Sequence, residues 1–343
     1  MTIFEALSRL ISWIVKWEVH LDFDRRSTYP AKTSFHTDKL TPRMEQLLYN
    51  NSSRLDQTSS TAWPTGIAVF LSGSNIFLSI AASLGNILIL IVLPKVTSLH
   101  PPTKLLFRSL AVTDLCVGLV SHPLHATFII LKMKLNVSYF IGFVNPALSV
   151  LLCGVSVLTS TAVSVDRLIA LSLGLRYRQV VTVTRIRVFI LFSWICGALL
   201  GSMHLWAHPE IVWDIAIIVT LFCLVTSIFS YTKIHLKLRQ YQVQVQARLG
   251  QQNRRGIPLN IARYKRTVSS TFWVQLALIV CYAPFCIASA LSINEKGYYI
   301  AWIVTTTLVY LNSSMNPILY CWKIREVNRA VKDTVRQMCG VLQ

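Results

Sequence analysis

Charge is what this sequence has least of. Of its 343 residues only 14% are Asp, Glu, Lys or Arg, while 53% are hydrophobic. A soluble domain carries about 25% charged residues. The polar groups here are too few to cover a globule, in line with a mean hydropathy of +0.52. Most of the exterior must therefore face something other than water. Acid is scarcer than base, 14 residues against 33, for a net charge of +19. That balance alone would suit a nucleic-acid surface. The basic residues, however, avoid the apolar runs and form no stripe with interleaved aromatics, so no nucleic acid is expected as a partner.

Cysteine is missing where a secreted scaffold would need it. All eight (Cys116, Cys153, Cys196, Cys223, Cys281, Cys286, Cys321 and Cys339) lie in apolar runs or at the far C-terminus, without paired C-x-x-C spacing. A disulfide framework and a thiolate metal site are both disfavoured, and the thiols read as small apolar fillers. Also absent are H-E-x-x-H, G-x-S-x-G and an intramembrane carboxylate pair, so an enzyme is not indicated. A transporter or channel is a further class to weigh. Transporters commonly carry internal repeats, and none is found here.

What the chain does have is seven apolar stretches, at 67–94, 104–131, 139–171, 184–206, 210–237, 267–293 and 298–321. Each is long enough to cross a hydrocarbon core, which needs about 20 residues. The expected fold is all-α, a seven-transmembrane helix bundle over 66–321. An N-terminal extracellular tail (1–65) precedes it, and a cytoplasmic amphipathic helix and tail (322–343) follow.

The gaps after spans one, three and five, the span ends that adjoin them and the C-terminal segment hold 22 lysines and arginines, whereas the opposite gaps hold only Lys132, Lys134 and Lys296. Lys and Arg gather on the cytoplasmic side, so the N-terminus is expected outside and the C-terminus inside, at the plasma membrane. A seven-helix chemosensory protein of reversed topology would show the opposite bias. The sequons at Asn50, Asn51 and Asn136 fall on the outer side and are the expected glycosylation sites; Asn312 also matches but lies within span seven. Residues 1–43 stay open between an interfacial helix, with Ile3, Leu7, Leu10, Ile14 and Trp17 on one face, and sequence upstream of a start at Met44. In the C-terminal segment Ile324, Val327, Val331, Val335 and Met338 recur at three- and four-residue steps between basic residues, which predicts an amphipathic helix on membrane lipids. Cys339 at its end is either palmitoylated or a free thiol.

Ionisable and amide side chains inside a span are costly and usually functional. Here they are few: Asn86 in span one, Asp114 in span two, Asp166 and Arg167 ending span three, and Asn316 in span seven. With them stand Gly85, the run Leu110-Ala111-Val112-Thr113-Asp114, Leu168, Trp194, Tyr231, Cys281-Tyr282-Ala283-Pro284 and Asn316-Pro317-Ile318-Leu319-Tyr320. This ordered set resembles the rhodopsin-like (class A, family 1) G-protein-coupled receptors over roughly residues 66–339.

The resemblance implies a signal-transducing receptor for an extracellular ligand, with a heterotrimeric G protein and arrestin as cytoplasmic partners. It assigns the activation switch to Asp166, Arg167, Leu175, Tyr231, Pro284, Asn316, Pro317 and Tyr320. Pro284 and Pro317 each remove an intrahelical hydrogen bond and make natural hinges. Arg167 cannot lose its proton; a snorkelling structural arginine is the alternative, with Asp166 as the adjacent counter-charge. No cofactor is expected beyond a bound sodium ion. The resemblance puts that ion with Asp114, Ser156, Asn312, Ser313 and Asn316, oxygen donors of the kind a hard cation prefers. A protonated Asp114 in a hydrated network is the alternative.

The chain departs from the family in several places. Gly142 stands where a bridging cysteine is usual, 203–213 holds no cysteine, and Cys223 replaces the span-five proline. Tyr282 stands where tryptophan is common, and Leu278 where phenylalanine is. These departures are most similar to the melanocortin, adenosine, cannabinoid and lysophospholipid branch, especially the melanocortin type. Acidic ligand-binding residues of that type are replaced by Leu124, Pro146 and Ser149. The expected pocket lining is Leu124, His125, Ser149, Val150, Cys153, Tyr282, Phe285, Cys286, Ser289, Thr306 and Tyr310. Such a neutral, apolar lining favours a lipid or small neutral ligand over a cationic peptide, although Glu210 and Asp214 stand at the top of span five. Tyr264 occupies the position of an acidic partner for Arg167, which predicts basal signalling.

Overall fold

A computed structural model of the chain describes residues 65–97, 99–133, 139–206, 209–249, 258–290, 295–323 and 325–341. The N-terminal tail with Asn50 and Asn51, and the segment holding Asn136, lie outside the described residues. So do the side chains of Leu175, Glu210, Tyr264 and Cys339.

Among the described residues every regular element is helical. Span one is α1 (Thr65–Val92). Span two is α2 (Pro101–Cys116), running through a π turn (Val117–Ser121) into α3 (His122–Met133). Span three is α4 (Tyr139–Leu173), followed by a short helix α5 (Tyr177–Val180). Spans four to seven are α6 (Val183–Trp206), α7 (Pro209–Leu249), α8 (Pro258–Ala290) and α9 (Glu295–Lys323), and α10 (Arg325–Val341) is the tail helix. Prolines open α2, α7 and α8. The first helical turn tolerates them because its N–H groups lack partners anyway.

Among the described residues the first five spans carry membrane-crossing stretches, and the apolar part of span six includes Gln275–Ala290. Span seven is more polar, with Thr305, Thr306, Thr307, Asn312, Ser313, Ser314 and Asn316 all buried; its neighbours screen it from lipid. Spans five and six run further than their hydropathy indicates. Residues 238–249 and 258–266, expected as loop, are helical. Arg, Gln and Ala in 239–249 are good helix formers without apolar character, so the helix continues past the point where the membrane signal stops.

The bundle is polar inside and apolar outside. Phe70, Phe77 and Phe222 are at least 70% exposed, while Asn75, Asn86 and Asp114 are fully buried. Only a hydrocarbon surround makes that distribution favourable, since backbone polarity is already satisfied within the helices. Between helices in lipid, close packing and buried hydrogen bonds take over from the hydrophobic effect. Gly85 serves the first purpose: a Cβ there would sit 2.9 Å from the Pro317 ring, so its absence lets spans one and seven touch. Asn86 serves the second, donating to the carbonyls of Ala82 at 2.9 Å and Ser313 at 3.1 Å. Span three is central, packing on spans two, four and five. The tail helix is anchored where Asn328 donates to the Cys321 carbonyl (2.8 Å) and Lys95 to Thr334 (2.9 Å).

Candidate functional site

At the end opposite Arg167, four spans are joined by buried polar groups. Asn75 of span one donates to the Leu71 carbonyl (2.9 Å) and to Thr307 of span seven (3.1 Å). Its oxygen is thus the acceptor left for His122 of span two, whose Nδ1 lies 2.9 Å away and donates. Asn145 of span three donates to His125 Nδ1 (3.3 Å), and His125 Nε2 donates to the Ile303 carbonyl (3.4 Å). Both imidazoles meet the Tyr310 ring edge-on at 5.3 Å. Ser149 donates to the Asn145 carbonyl (2.7 Å), leaving Tyr310 to donate its hydroxyl proton to Ser149. Asn75, His122, Asn145 and Thr307 were not singled out from the sequence. The rule that flagged Asn86 applies to Asn75 equally.

Beside this network lies a cavity of about 260 Å³. Ser149, Val150, Cys153, Tyr282, Phe285, Thr306 and Tyr310 border it, and the cavity also reaches Gly154, Leu158, Phe192, Cys196, Trp213 and Val219. It leans toward spans four and five. His125 belongs instead to the polar network, and Cys286 is buried in the surrounding apolar core. Leu124 and Ser289 are half-buried outside the lining. Asp214 is exposed and also outside it.

Deeper in the bundle Asp114 is fully buried. One carboxylate oxygen accepts from Ser156 (2.9 Å) and Ser313 (2.8 Å), the other from Asn316 (2.7 Å). Asn312 is buried nearby in sequence on span seven, its amide nitrogen without a hydrogen-bond partner. One carboxylate and two hydroxyls converging on a point suit sodium, which takes neutral oxygens readily. They do not suit a transition metal, and no cluster of three His, Cys, Asp or Glu occurs among the described residues.

At the basic end the structure separates Asp166 from Arg167. The carboxylate of Asp166 accepts from Tyr177 (2.6 Å) and Thr103 (2.8 Å). Tyr177 reaches it because Gly174 takes a left-handed conformation (φ 52°) and turns the chain back after span three. Burial, and then the bond to Asp166, push the Tyr177 phenol up to about 12. Arg167 lies instead over the ring of Phe107, 5.7 Å from its centroid. Phe107 in turn meets Tyr320 edge-on at 4.9 Å. Among the described residues no ion pair joins Asp166 to Arg167. Tyr231 sits half-buried against His235, ring centroids 6.2 Å apart. Pro284 and Pro317 lie inside continuous helices, and Leu175 falls in the turn after span three.

Residues 85–210 match the family model described as 7 transmembrane receptor (rhodopsin family). Over that stretch the chain is similar to the rhodopsin-like receptors of the G-protein-coupled class. Five helices among the described residues are long and apolar enough to cross a bilayer, as in a multi-pass membrane protein. The chain is similar to trace amine-associated receptor 9 of Mus musculus, 23% identical over 319 residues, covering 85% of this chain and 90% of the relative. It is also similar to melanocortin receptor 3 of Rattus norvegicus, 24% identical over 280 residues (77% and 83%). Neuromedin-U receptor 1 of Rattus norvegicus is 26% identical over 304 residues (75% and 71%). These relatives are named for different ligands and are similar to the chain at nearly equal identity.

Proposed function

We propose that the receptor sits in the plasma membrane with its N-terminus outside, and that occupancy of the cavity controls nucleotide exchange on a heterotrimeric G protein. One observation carries this. Tyr310, Ser313, Asn316 and Tyr320 follow one another at three- and four-residue steps on span seven, and residues that close share a helix face. Along that face Tyr310 borders the cavity, Ser313 and Asn316 hold Asp114, and Tyr320 packs on the ring beneath Arg167. A shift of span seven at the cavity is thus felt at all three levels.

The ligand is a lipid or a small neutral molecule. Among the described residues no charged side chain borders the cavity, and Ser149 stands where an amine receptor would need a carboxylate. Names of relatives that point to trace amines, melanocortin or neuromedin-U give no better match to that lining. The missing cysteine at Gly142, the loop without cysteine and Cys223 favour the branch containing melanocortin, adenosine, cannabinoid and lysophospholipid receptors. Asp114, with Ser156, Asn312, Ser313 and Asn316, would hold a sodium ion that damps activation. Asp166, Arg167, Leu175, Tyr231, Pro284, Pro317 and Tyr320 make the coupling switch, where arrestin would also dock. The test is basal and lipid-stimulated cAMP and calcium in cells, with Arg167→Ala as control. Basal output above vector that Arg167→Ala removes is expected. Silence of a chain that reaches the surface would overturn the reading.

A further inference from the structure

Spans four and five pack mainly on span three and much less on each other. The cavity occupies the crevice this leaves. Its wall includes Phe192, Cys196 and Leu200, which share one face of span four, and Ala216, Val219 and Thr220 of span five. Phe192 is 64% exposed on the outer surface of the bundle, flanked by the equally outward Ile195 and Leu199. The cavity therefore borders a residue that also borders the bilayer. On the floor is Gly154 of span three, where an added Cβ would meet nothing within 4 Å. At the end opposite Arg167, Trp213 borders the cavity and packs against Phe285 (6.0 Å) and Trp302 (6.3 Å). One side of the cavity is aromatic, and the side toward spans four and five combines Cys196, Gly197 and Ala216 with Leu200, Val219 and one outward ring.

We propose that the cavity is filled sideways from the bilayer, by the acyl chain of a neutral-headed, single-chain amphiphile that passes between spans four and five over Gly154. This rests on the cavity being the ligand site. At the depth of Phe192 the surrounding medium is hydrocarbon, about 30 Å thick. A chain already dissolved there leaves no water behind, so entry has little desolvation cost. What it gains is dispersion contact with walls that otherwise face a void, such as Val150, Leu158 and Val219. The head is expected to be uncharged, because among the described residues no charged side chain borders the cavity to pair with it. A polar anchor is present: Thr306 borders the cavity, and its Oγ1 is buried with no hydrogen-bond partner. A hydroxyl or ester carbonyl satisfies it.

The full-length receptor in phosphatidylcholine nanodiscs is photolabelled with a monoacylglycerol whose chain carries a diazirine and a terminal alkyne, and the adducts are mapped by peptide. Labelling concentrated on 150–158, 192–200 and 216–220, removed by excess unlabelled monoacylglycerol and lost in Gly154→Leu but not in Gly73→Leu, is the expected result. Gly73 is the control because a Cβ there also meets nothing within 4 Å. Labelling spread evenly over exposed faces such as that of Phe77, or unchanged by Gly154→Leu, overturns the proposal. Should Gly154→Leu fail to fold, competition on the wild-type chain decides in the same two directions. The readout involves no G protein. A labelled crevice in a silent receptor refutes the signalling reading alone, and an unlabelled crevice in an active receptor refutes lateral entry alone.

Discussion

Arg167 lies over the face of Phe107, its guanidinium carbon 5.7 Å from the ring centroid, although a carboxylate is its neighbour in the chain. Asp166 is engaged elsewhere, with Tyr177 and Thr103. The magnitudes explain how the two can be kept apart. A hydrogen bond to a charged group is worth about 1.5–3 kcal/mol, whereas a cation–π contact contributes about 0.5–2 kcal/mol. Two donors on Asp166 outweigh what it would gain by drawing Arg167 off the ring.

Tyr177→Phe should therefore reverse the arrangement. It leaves one oxygen of a buried carboxylate without a donor, and Arg167 is the nearest cation in the chain. The pair closes, and basal signalling is expected to fall, by up to about tenfold for each 1.4 kcal/mol. Basal cAMP and calcium at matched surface expression measure it; unchanged or higher output would contradict the assignment. The phenol itself is a durable donor. Its folded pKa is raised above the usual 10, so its contribution is complete below about pH 10 and fades only as pH rises through about 12. An absorbance titration of wild type minus Tyr177→Phe should lack a phenolate step at 10.

Asn75 and His122 should behave as a coupled pair. Asn75→Leu strands His122 Nδ1 and removes the donor to Thr307. Stranded buried groups cost about 1–3 kcal/mol, although hydrogen bonds within membranes average nearer 0.6 kcal/mol. A drop in thermal stability is expected, partly restored when His122→Phe is added. Losses that simply add in the double variant would show that the two side chains are not coupled.

Gly85→Val should push spans one and seven apart, because the added carbon would sit 2.9 Å from Pro317. Overpacking costs about 1–3 kcal/mol. Gly73→Ala, which meets nothing, should hold or gain stability through helix propensity. Melting temperatures in detergent compare the two. Equal values would remove the close approach from the account of the bundle.

Sodium should act through Asp114. Replacing sodium chloride by choline chloride is expected to raise basal exchange or agonist affinity in the wild type and to leave Asp114→Asn unmoved. Sodium insensitivity shared by both chains would leave Asp114 as a purely structural hydrogen-bond centre.

Much of this was legible in the sequence because a membrane imposes period and length. Seven apolar stretches and the tail pattern of Val327 and Val331 yield the spans and the tail helix directly. Helix ends in water were not legible: 238–249 carries Gln and Arg, which form helix without a hydropathy signal. Asp114 with Ser156, Ser313 and Asn316 came from a family pattern, and the structure brings these four together. The Asp166–Tyr177 bond was beyond reach, since it depends on a left-handed turn at Gly174. The lean of the cavity toward Phe192 and Val219 depends on how loosely two helices pack, which no single residue encodes.

The most direct measurement is guanine-nucleotide exchange with the purified receptor in nanodiscs and purified heterotrimeric G proteins of each α-subunit class. The expected result is exchange above the receptor-free rate for at least one class, abolished by Arg167→Ala. Exchange at the receptor-free rate for every class, from a chain with a cooperative thermal transition, would contradict it.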